Sequence, residues 1–403
     1  MSPLVPADPA EVAAAVTLAA ASKTPLSITG LGSKSALGRP GKALRSLDLS
    51  ALSGVIFYEP EELVISALAA TPIEQIEALL AAQNQELAFE PMSFGALHGS
   101  GPGTLGGCLM TNLSGPRRIK AGAARDHVLG LKAVSGRGEA FKAGGRVVKN
   151  VTGYDLPRGL AGSFGTLAVA TEITFKVLPR AETLATLILP GLEPAPAIEA
   201  LCAAMGAPVD VSGAAHLPAL SAKRQGFPTA ITALRLEGFA PSVNERFERL
   251  AASLKPFAAA ERLDPAASNS LWRAIRDVAP LANPSENLIW KISVAPTAGP
   301  KIAEAAAKAF PCEALFDWSG GLVWLALEPS PEVGSDAGAA VIRRAIAQNG
   351  GGHATLVRAP AELRAQMDVF EPQLEALASL SRRLKAAFDP HGILEPGRLF
   401  AEF

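Results

Sequence analysis

The 403-residue sequence contains only three cysteines, and they lie far apart. Cys108, Cys202 and Cys312 form neither a CxxC pair nor the closely spaced run that ligates an iron–sulfur cluster. We therefore expect three free thiols in a reducing compartment, and no cluster ligated by this chain.

The sequence also lacks an excess of charge of one sign, and it lacks long apolar runs. The sequence has 37 Lys and Arg residues against 38 Asp and Glu, with no basic block, which argues against nucleic acid as a partner. No stretch approaches the roughly 20 apolar residues of a membrane span. The apolar segment 12–22 follows Asp8 and Glu11 with no basic residue before it, so it is predicted to be a surface helix capped by Asp8 and not a signal peptide. We expect a soluble protein.

The five histidines show no HxH or HxxxH spacing, so the sequence predicts no metal site. His353 and Arg358 are weak catalytic candidates, as a base and a clamp for a carboxylate. The alternative is that His353 is an ordinary loop histidine beside a strand.

Short apolar strands alternate with helices along the whole chain. The patterns predict strands at 25–30, 63–70 and 165–179, and a two-stranded turn within 126–144. Residues 71–85 read as a helix with Thr71 at its N-cap and Glu74 completing a capping box.

Beyond residue 180 the composition changes. Residues 187–197 read as a proline-rich connector, and strand and helix patterns then repeat. We predict an α+β fold with a first domain at 1–180, an α+β cap with an antiparallel sheet at 181–380, and a segment at 381–403 that returns to the first domain. In the cap the paired patterns are the strands at 229–238, 287–296 and 320–329, followed by helices at 244–254, 299–310 and 336–351.

Three segments are rich in small residues: 29–38, 99–118 and 149–179. Glycine lets the backbone approach a ligand closely, and successive N–H groups can surround an anion. The first segment matches neither a Walker loop nor a GxGxxG dinucleotide motif. The second contains Arg117 and Arg118, which are candidates for pairing with phosphate.

The order and spacing of these segments resemble the FAD-binding domain of the vanillyl-alcohol oxidase, para-cresol methylhydroxylase and D-lactate dehydrogenase family. The matching pieces are the Gly/Ser loop at 30–35, the segments 104–107 and 111–115, Arg-Asp-x-Val-Leu-Gly-Leu at 125–131, and Gly-Ser-Phe-Gly-Thr-Leu at 162–167. This resemblance implies a para-cresol methylhydroxylase-type FAD-binding domain of two subdomains, followed by a cap.

A closer resemblance, over the full chain, is to the FAD-binding subunits of bacterial glycolate oxidase. It is carried by SKSALGRP (33–40), GPRR (115–118), the segment 147–180 and the ending DPHGILEPGRLF (389–400). In that family the ending commonly reads Asn-Pro-Gly, and Glu395 stands here in place of the Asn.

The resemblance implies where FAD binds. The pyrophosphate would be held by Gly30, Leu31, Gly32, Ser33, Lys34 and Ser35. The ribityl chain and ring would be lined by Thr104, Leu105, Gly106, Gly107, Asn112, Ser114 and Gly115, with Arg118 nearby and with Arg125 and Asp126 bracing this loop. The adenine side would meet Gly162, Gly165 and Thr166, and the ring face would meet Lys149, Asn150 and Tyr154.

The resemblance also implies an activity and partners. The chain would be the FAD-binding subunit of a cytoplasmic complex that oxidises glycolate, a 2-hydroxy acid, to glyoxylate. A paralogous flavin subunit and an iron–sulfur subunit would complete the complex, and membrane association through those partners stays open. FAD would be non-covalent, because Ser33 stands where covalent relatives have a histidine and Cys108 follows the Gly-Gly pair instead of preceding it. Two alternatives remain: a self-sufficient FAD-dependent 2-hydroxy-acid oxidase, and a structural flavoprotein subunit without its own chemistry.

Overall fold

A computed structural model describes residues 2–147 and 153–402. Lys149 and Asn150, predicted above to face the flavin ring, lie outside the described residues. The elements of the first half are α1 (Pro9–Ser22), β1 (Leu26–Thr29), β2 (Arg45–Asp48), β3 (Val55–Glu59), β4 (Val64–Leu68), α2 (Ile73–Ala81), β5 (Gln85–Glu86), α3 (Gly95–His98), α4 (Leu105–Thr111), α5 (Arg118–Ala121), α6 (Ala124–His127), β6 (Val128–Ser135), β7 (Ala140–Gly144), α7 (Leu156–Leu160), β8 (Ala168–Lys176) and β9 (Leu178–Pro179).

Two layers make up this first half. Strands β1 and β2 pair in parallel beside α1, whose first N–H groups are accepted by the Asp8 carboxylate as predicted. Strands β3, β4, β8, β6 and β7 form an antiparallel sheet in that spatial order. Leu394 bridges to Leu26 at the edge of the small layer, so the chain ending packs against β1.

The predicted cap of α2 is wrong. Pro72, not Thr71, occupies the N-cap position, and no side chain caps the helix. The Thr71 hydroxyl is buried and donates to the Leu68 carbonyl at 2.7 Å instead. A buried hydroxyl needs a hydrogen-bond partner, and here that partner is a carbonyl at the end of the preceding strand, not an N–H group of the helix.

The second half forms one antiparallel sheet with helices on both faces. Its spatial strand order is β13-β10-β12-β11-β15-β16-β14-β17. The elements are β10 (Thr183–Pro190), α8 (Pro194–Gly206), β11 (Gly213–Leu217), α9 (Ala219–Lys223), β12 (Ile231–Gly238), α10 (Ala240–Leu254), β13 (Glu261–Leu263), α11 (Pro265–Arg276), β14 (Leu288–Val294), α12 (Gly299–Ala309), β15 (Cys312–Asp317), β16 (Leu322–Leu327), α13 (Ala339–Gln348), β17 (Gly352–Arg358), α14 (Ala361–Gln366) and α15 (Glu375–Phe388).

The predicted connector at 187–197 is also wrong. Its first residues belong to β10, which pairs with β12 over eight residues and with β13 on its other side. Its three prolines lie where proline is tolerated: Pro190 ends the strand, and Pro194 and Pro196 lie in the first turn of α8.

The two faces of the eight-stranded sheet pack against different parts of the protein. One face, with Trp290 and Ile292, packs under α8, α10, α12 and α13. The other, with Ile289 and Trp324, packs on α9 and α11 and on Phe94 and Leu97 from the first half of the chain. Strand residues that alternate along β14 therefore point to opposite sides, and the side of Ile289 and Lys291 is the one turned towards the first half.

Candidate functional site

The first Gly/Ser segment and the second form the two sides of one pocket. Residues 28–35 form the end of β1 and the loop after it, and residues 104–111 form α4 and its N-cap. The space not filled by protein atoms is about 790 Å³. The lining residues are Ile28, Thr29, Gly30, Leu31, Gly32, Ser33, Lys34, Ser35, Leu49, Ala69, Ala70, Thr104, Gly106, Gly107, Met110, Thr111, Phe164, Gly165, Ala168, Ala170, Glu395 and Arg398.

Glycine is required at particular points of this wall. Gly32 and Gly165 have φ of +74° and +78°, which side chains with a Cβ rarely adopt. A Cβ on Gly106 would meet the Ala69 carbonyl oxygen at 2.8 Å. A Cβ on Gly30 would stand 3.2 Å from the Thr104 side chain, so glycine there lets the two loops approach each other closely.

Lys34 brings an uncompensated positive charge into the pocket. Across the part of the chain that the structure describes, its ammonium has neither a carboxylate nor a hydrogen-bond acceptor. Burial lowers the pKa of Lys34, although the nearby Cys108 opposes the shift. The ammonium lies close to the second loop, 2.9 Å from where a Cβ on Gly103 would stand. An enclosed cation without an anion, beside glycine-lined backbone, fits a diphosphate group.

Glu395 stands at the floor of the pocket. Its carboxylate accepts a hydrogen bond from the Ile28 N–H at 2.6 Å and pairs with Arg398 at 3.4 Å. Burial raises the pKa of Glu395, and Arg398 opposes this shift. The residue at this position therefore ties the chain ending to β1. Arg398 also donates a hydrogen bond to the Lys34 carbonyl at 2.8 Å, which links the same C-terminal segment to the loop after β1.

Some predicted FAD contacts are not brought to this pocket. Leu105 is fully buried in the core of the five-stranded sheet, and Tyr154 is 91% exposed. The Thr166 hydroxyl donates to the Ser163 carbonyl at 2.7 Å. A Cβ on Gly162 would meet the Cβ of Asn112 at 3.6 Å.

The loop after α4 is held by its own contacts. The Arg125 N–H donates to the Asn112 side chain, and the Ser114 hydroxyl accepts from the Ala124 N–H, both at 3.1 Å. Asp126 accepts from the Ala123 N–H at 2.9 Å. Gly115 is packed against Glu90 and Arg276, where a Cβ would be 2.9 and 2.8 Å from their side chains.

The two arginines of this loop do not reach the pocket. Arg117 pairs with Glu86 at 2.8 Å and Glu237 at 2.7 Å, so its proposed pairing with phosphate is wrong. Arg118 lies over the ring of Trp318 instead of lining the cavity.

The predicted pair of His353 and Arg358 does not form. The Arg358 guanidinium donates to four backbone carbonyls, those of Leu97, Ala282, Pro284 and Asn287, at 2.7 to 3.2 Å. Five residues of strand separate it from His353, or roughly 16 Å. Arg358 is therefore a structural arginine that ties β17 to neighbouring loops, and the carboxylate clamp assigned to it is wrong.

Sequence reasoning missed part of the pocket wall. Ala168 and Ala170 line it from β8, where their small side chains at alternate positions were a readable signal. Met110 and Phe164 gave none, because each reads as an ordinary apolar residue in the sequence. Phe164 packs edge-on against Phe370 at 5.1 Å, which brings the second half of the chain to the mouth of the pocket.

The remaining chemistry of the described residues is sparse. Among them no group of three or more His, Cys, Asp and Glu side chains is placed to hold a metal ion. No helix in the described ranges is both long and apolar enough to cross a membrane. The three cysteines are free thiols.

Comparisons with known proteins show the family to which the chain belongs. Residues 4–144 match the family model described as FAD binding domain. Glycolate oxidase subunit GlcE of Escherichia coli (strain K12) is 34% identical over 387 residues, which cover 96% of both chains. A D-lactate dehydrogenase of Anaerostipes hadrus is 32% identical over 187 residues, covering 45% of this chain and 37% of the relative.

Solved structures share the fold. A crystal structure of p-cresol methylhydroxylase superposes with a TM-score of 0.74 at 12% identity, covering 99% of this chain and 88% of that one. A 4-ethylphenol oxidase from Gulosibacter chungangensis gives a TM-score of 0.71 at 15% identity, covering 99% and 89%. The α+β fold is thus an FAD-binding domain followed by a cap domain with an eight-stranded antiparallel sheet, as predicted.

Proposed function

Because this chain belongs to the family of GlcE-type glycolate oxidase subunits, we propose that it binds one FAD in the pocket around Lys34 and serves a complex that oxidises glycolate to glyoxylate. We also propose which residues contact the pyrophosphate, the ribityl chain and the adenine of FAD, as predicted from the sequence. The proposed domain boundaries are 1–180 for the FAD-binding domain, 181–380 for the cap and 381–403 for the segment that returns to the first domain.

The observation that carries the proposal is the isolated charge of Lys34. An ammonium that has given up much of its hydration without gaining an acceptor among the described residues is costly. The diphosphate of FAD would supply the missing anion. The uncharged lining on the other side, with Met110, Ala168 and Ala170, suits the apolar parts of the same cofactor.

When bound, FAD supplies a two-electron acceptor for the alcohol carbon of the substrate. The chain's own residues hold and shield it. Gly32 and Gly106 allow close backbone contact, while Phe164 and Phe370 limit water at the mouth of the pocket.

We propose that the FAD is held without a covalent bond. The described residues that line the pocket include no His, Cys or Tyr to attach it. Cys108 lies in the neighbouring core, where burial raises the pKa of its thiol to about 11, so it is a poor nucleophile.

The proposed partners are a paralogous flavin subunit and an iron–sulfur subunit. The relative with 34% identity is itself named a subunit, and this sequence has only three separated cysteines. Electrons from the substrate would therefore leave through a partner chain.

Co-expression tests the proposal. The chain is purified alone and with the two partner chains, and each sample is mixed anaerobically with glycolate while flavin absorbance is followed. We expect all three chains to co-purify and the complex to bleach with glycolate and reduce a dye. Rapid dye reduction by the isolated chain, on the order of 10 s⁻¹, would instead support a self-sufficient oxidase. A complex that contains the chain but never bleaches would contradict the proposed activity.

A further inference from the structure

Two cations share one aromatic ring where the cap meets the loop after α4. The Arg118 guanidinium lies 4.7 Å from the centre of the Trp318 ring, and the Lys291 ammonium lies 5.6 Å from it. The Trp318 indole N–H donates to the Gly115 carbonyl at 3.2 Å, which fixes the ring against that loop. The cluster therefore joins β14, the residues after β15, and the FAD-binding domain.

Neither cation forms an ion pair with another described residue. Within residues 2–147 and 153–402 no carboxylate pairs with Arg118 or Lys291, and neither side chain donates to a hydrogen-bond acceptor. Burial lowers the pKa of Lys291 to about 8, and the positive charge of Arg118 adds to the shift. Burial likewise lowers the pKa of Arg118, with a contribution from Arg125, while the nearby carboxylate of Asp126 opposes the shift. Two like charges in a partly buried place repel each other unless an anion lies between or beside them.

His353 lies on the same face of the sheet as Lys291. Lys291 pairs with Thr355 and Ser293 pairs with His353 across β14 and β17, so all four side chains point to the side of the FAD-binding domain. Diagonal neighbours in such a ladder are roughly 7–8 Å apart. Burial and the charges of Lys291 and Arg118 lower the pKa of His353, while Glu371 opposes this, so its imidazole is neutral at pH 7.

The backbone at the ring is strained. Trp318 and Ser319 have φ of +50° and +60°, a region that side chains other than glycine, Asn and Asp rarely occupy. Each residue in such a conformation lowers the stability of the fold by about 1–3 kcal/mol, so the conformation persists only where the surrounding structure imposes it. Here Trp318, one of the two residues with this conformation, holds an indole ring that contacts both Lys291 on the sheet and the Gly115 carbonyl.

We propose that Arg118 and Lys291 form the binding site for the carboxylate of a small 2-hydroxy acid, with Trp318 as its wall and His353 as the hydrogen-bond acceptor for the substrate hydroxyl. The identity of the acid rests on the function proposed above, whereas the binding of a small carboxylate does not. The site gives His353 a different cationic partner from Arg358, whose donors are taken by backbone carbonyls.

The test measures carboxylate binding directly. The full chain loaded with FAD is titrated with glycolate and, separately, with oxalate, which cannot lose a hydride. Trp fluorescence and the flavin difference spectrum report binding, and the variants are Lys291→Gln and Lys291→Arg. Lys308→Gln is the matched control, because Lys308 is an exposed lysine on α12 that pairs only with Glu304 of its own helix.

We expect saturable binding of both acids in the unaltered chain and in Lys308→Gln. Lys291→Gln should weaken it at least about 10-fold, since a charge-assisted hydrogen bond is lost, while Lys291→Arg keeps much of it. Retained binding in Lys291→Arg also shows that the position tolerates replacement with the fold intact. Arg118→Gln should weaken oxalate binding by a similar factor.

Two results would overturn the site: no saturable binding of either acid to the FAD-loaded chain, or equal binding in the unaltered chain and Lys291→Gln. The site and the proposed function fail separately. Lys291-dependent binding in a complex that never bleaches with glycolate would keep the site and remove the function. Full glycolate turnover in a complex carrying Lys291→Gln, with unchanged KM, would keep the function and remove the site.

Discussion

Arg235 on the cap sheet donates to both carboxylate oxygens of Glu90 in the FAD-binding domain, at 2.7 and 3.1 Å. The side chain of Arg235 is 3% exposed and that of Glu90 is 14% exposed. Burial would raise the pKa of Glu90, but Arg235 and Arg117 outweigh it and hold this pKa below its ordinary value. For Glu237, which completes the cluster, the same two arginines overcome burial and hold the pKa at about 2.

Breaking this interdomain pair should destabilise the protein strongly. Arg235→Met leaves the carboxylate of Glu90 buried with less compensation, and we expect a loss of about 3–5 kcal/mol in the free energy of unfolding. Arg249→Gln is the control, because its partner Glu245 is exposed on the same helix and the expected loss is below about 1 kcal/mol. Urea unfolding of both variants measures the difference, and equal losses would contradict the role assigned to the pair.

Asp317 should make stability depend on pH. Burial raises the pKa of Asp317 to about 7, and Glu90 adds to the shift while the Trp318 N–H opposes it. From about pH 4 to 7 the folded state keeps a proton that the unfolded state has lost, so this group destabilises the fold progressively as pH rises and fully above pH 7.

Asp317→Asn removes that titration and keeps an oxygen to accept the Trp318 N–H. We expect the variant to gain on the order of a few kcal/mol relative to the unaltered chain between pH 4 and pH 8. Thermal or urea unfolding at both pH values measures it. Asp8→Asn, at an exposed N-cap where Asn serves as well as Asp, should show no such gain. A stability difference for Asp317→Asn that is the same at both pH values would be inconsistent with a neutral Asp317.

The sequence predicted the locally encoded parts of the fold well. The antiparallel pair β6 and β7, strand β8, and helices α10 and α12 follow from alternation, turn residues and helical periodicity. Strand β10 was missed because residues 185–189 are all buried, so no alternation marks them and the neighbouring prolines suggested a connector.

The residues of the site likewise divide into those that a local sequence pattern predicts and those that it does not. The loop around Lys34 and the segment 104–107 were found from their glycines, which signal close backbone approach within a few residues. The ties made by Glu395 and Arg398 and the meeting of Arg118 with Lys291 join residues more than 170 positions apart. Such neighbours depend on how the cap packs on the first domain, which no local pattern encodes. The mistaken pairing of His353 with Arg358 came from closeness in sequence along an extended strand.

Removing the charge of Lys34 should weaken FAD binding while sparing the fold. Lys34→Gln loses the cation assigned to the diphosphate, and we expect a drop of at least about 10-fold in affinity with a weaker dependence on salt. Titration of the apoprotein with FAD at low and high salt measures this, with Lys308→Gln beside it. Unchanged affinity in Lys34→Gln would place the diphosphate elsewhere.

Gly107→Val should prevent FAD binding because the larger side chain would occupy part of the pocket. A side chain at Gly107 would project among Lys34 and Thr104, with a Cβ 3.1 Å from the Thr104 hydroxyl oxygen. We expect low FAD occupancy with circular dichroism that remains native-like, and a lower Tm through the loss of a bound ligand. Normal occupancy would show that this loop does not contact the cofactor.

Acid precipitation should release the flavin. Because the proposed link is non-covalent, yellow colour is expected in the supernatant and a colourless pellet below it. Yellow protein in the pellet would mean that a covalent bond exists.

The most direct test of the account is the stoichiometry of FAD on the purified chain. Apoprotein is titrated with FAD, and bound flavin is counted by absorbance against protein concentration. We expect saturation at one FAD per chain, and no saturable binding in Gly107→Val. A folded chain that takes up no FAD, or that binds it equally well with the pocket altered, would contradict it.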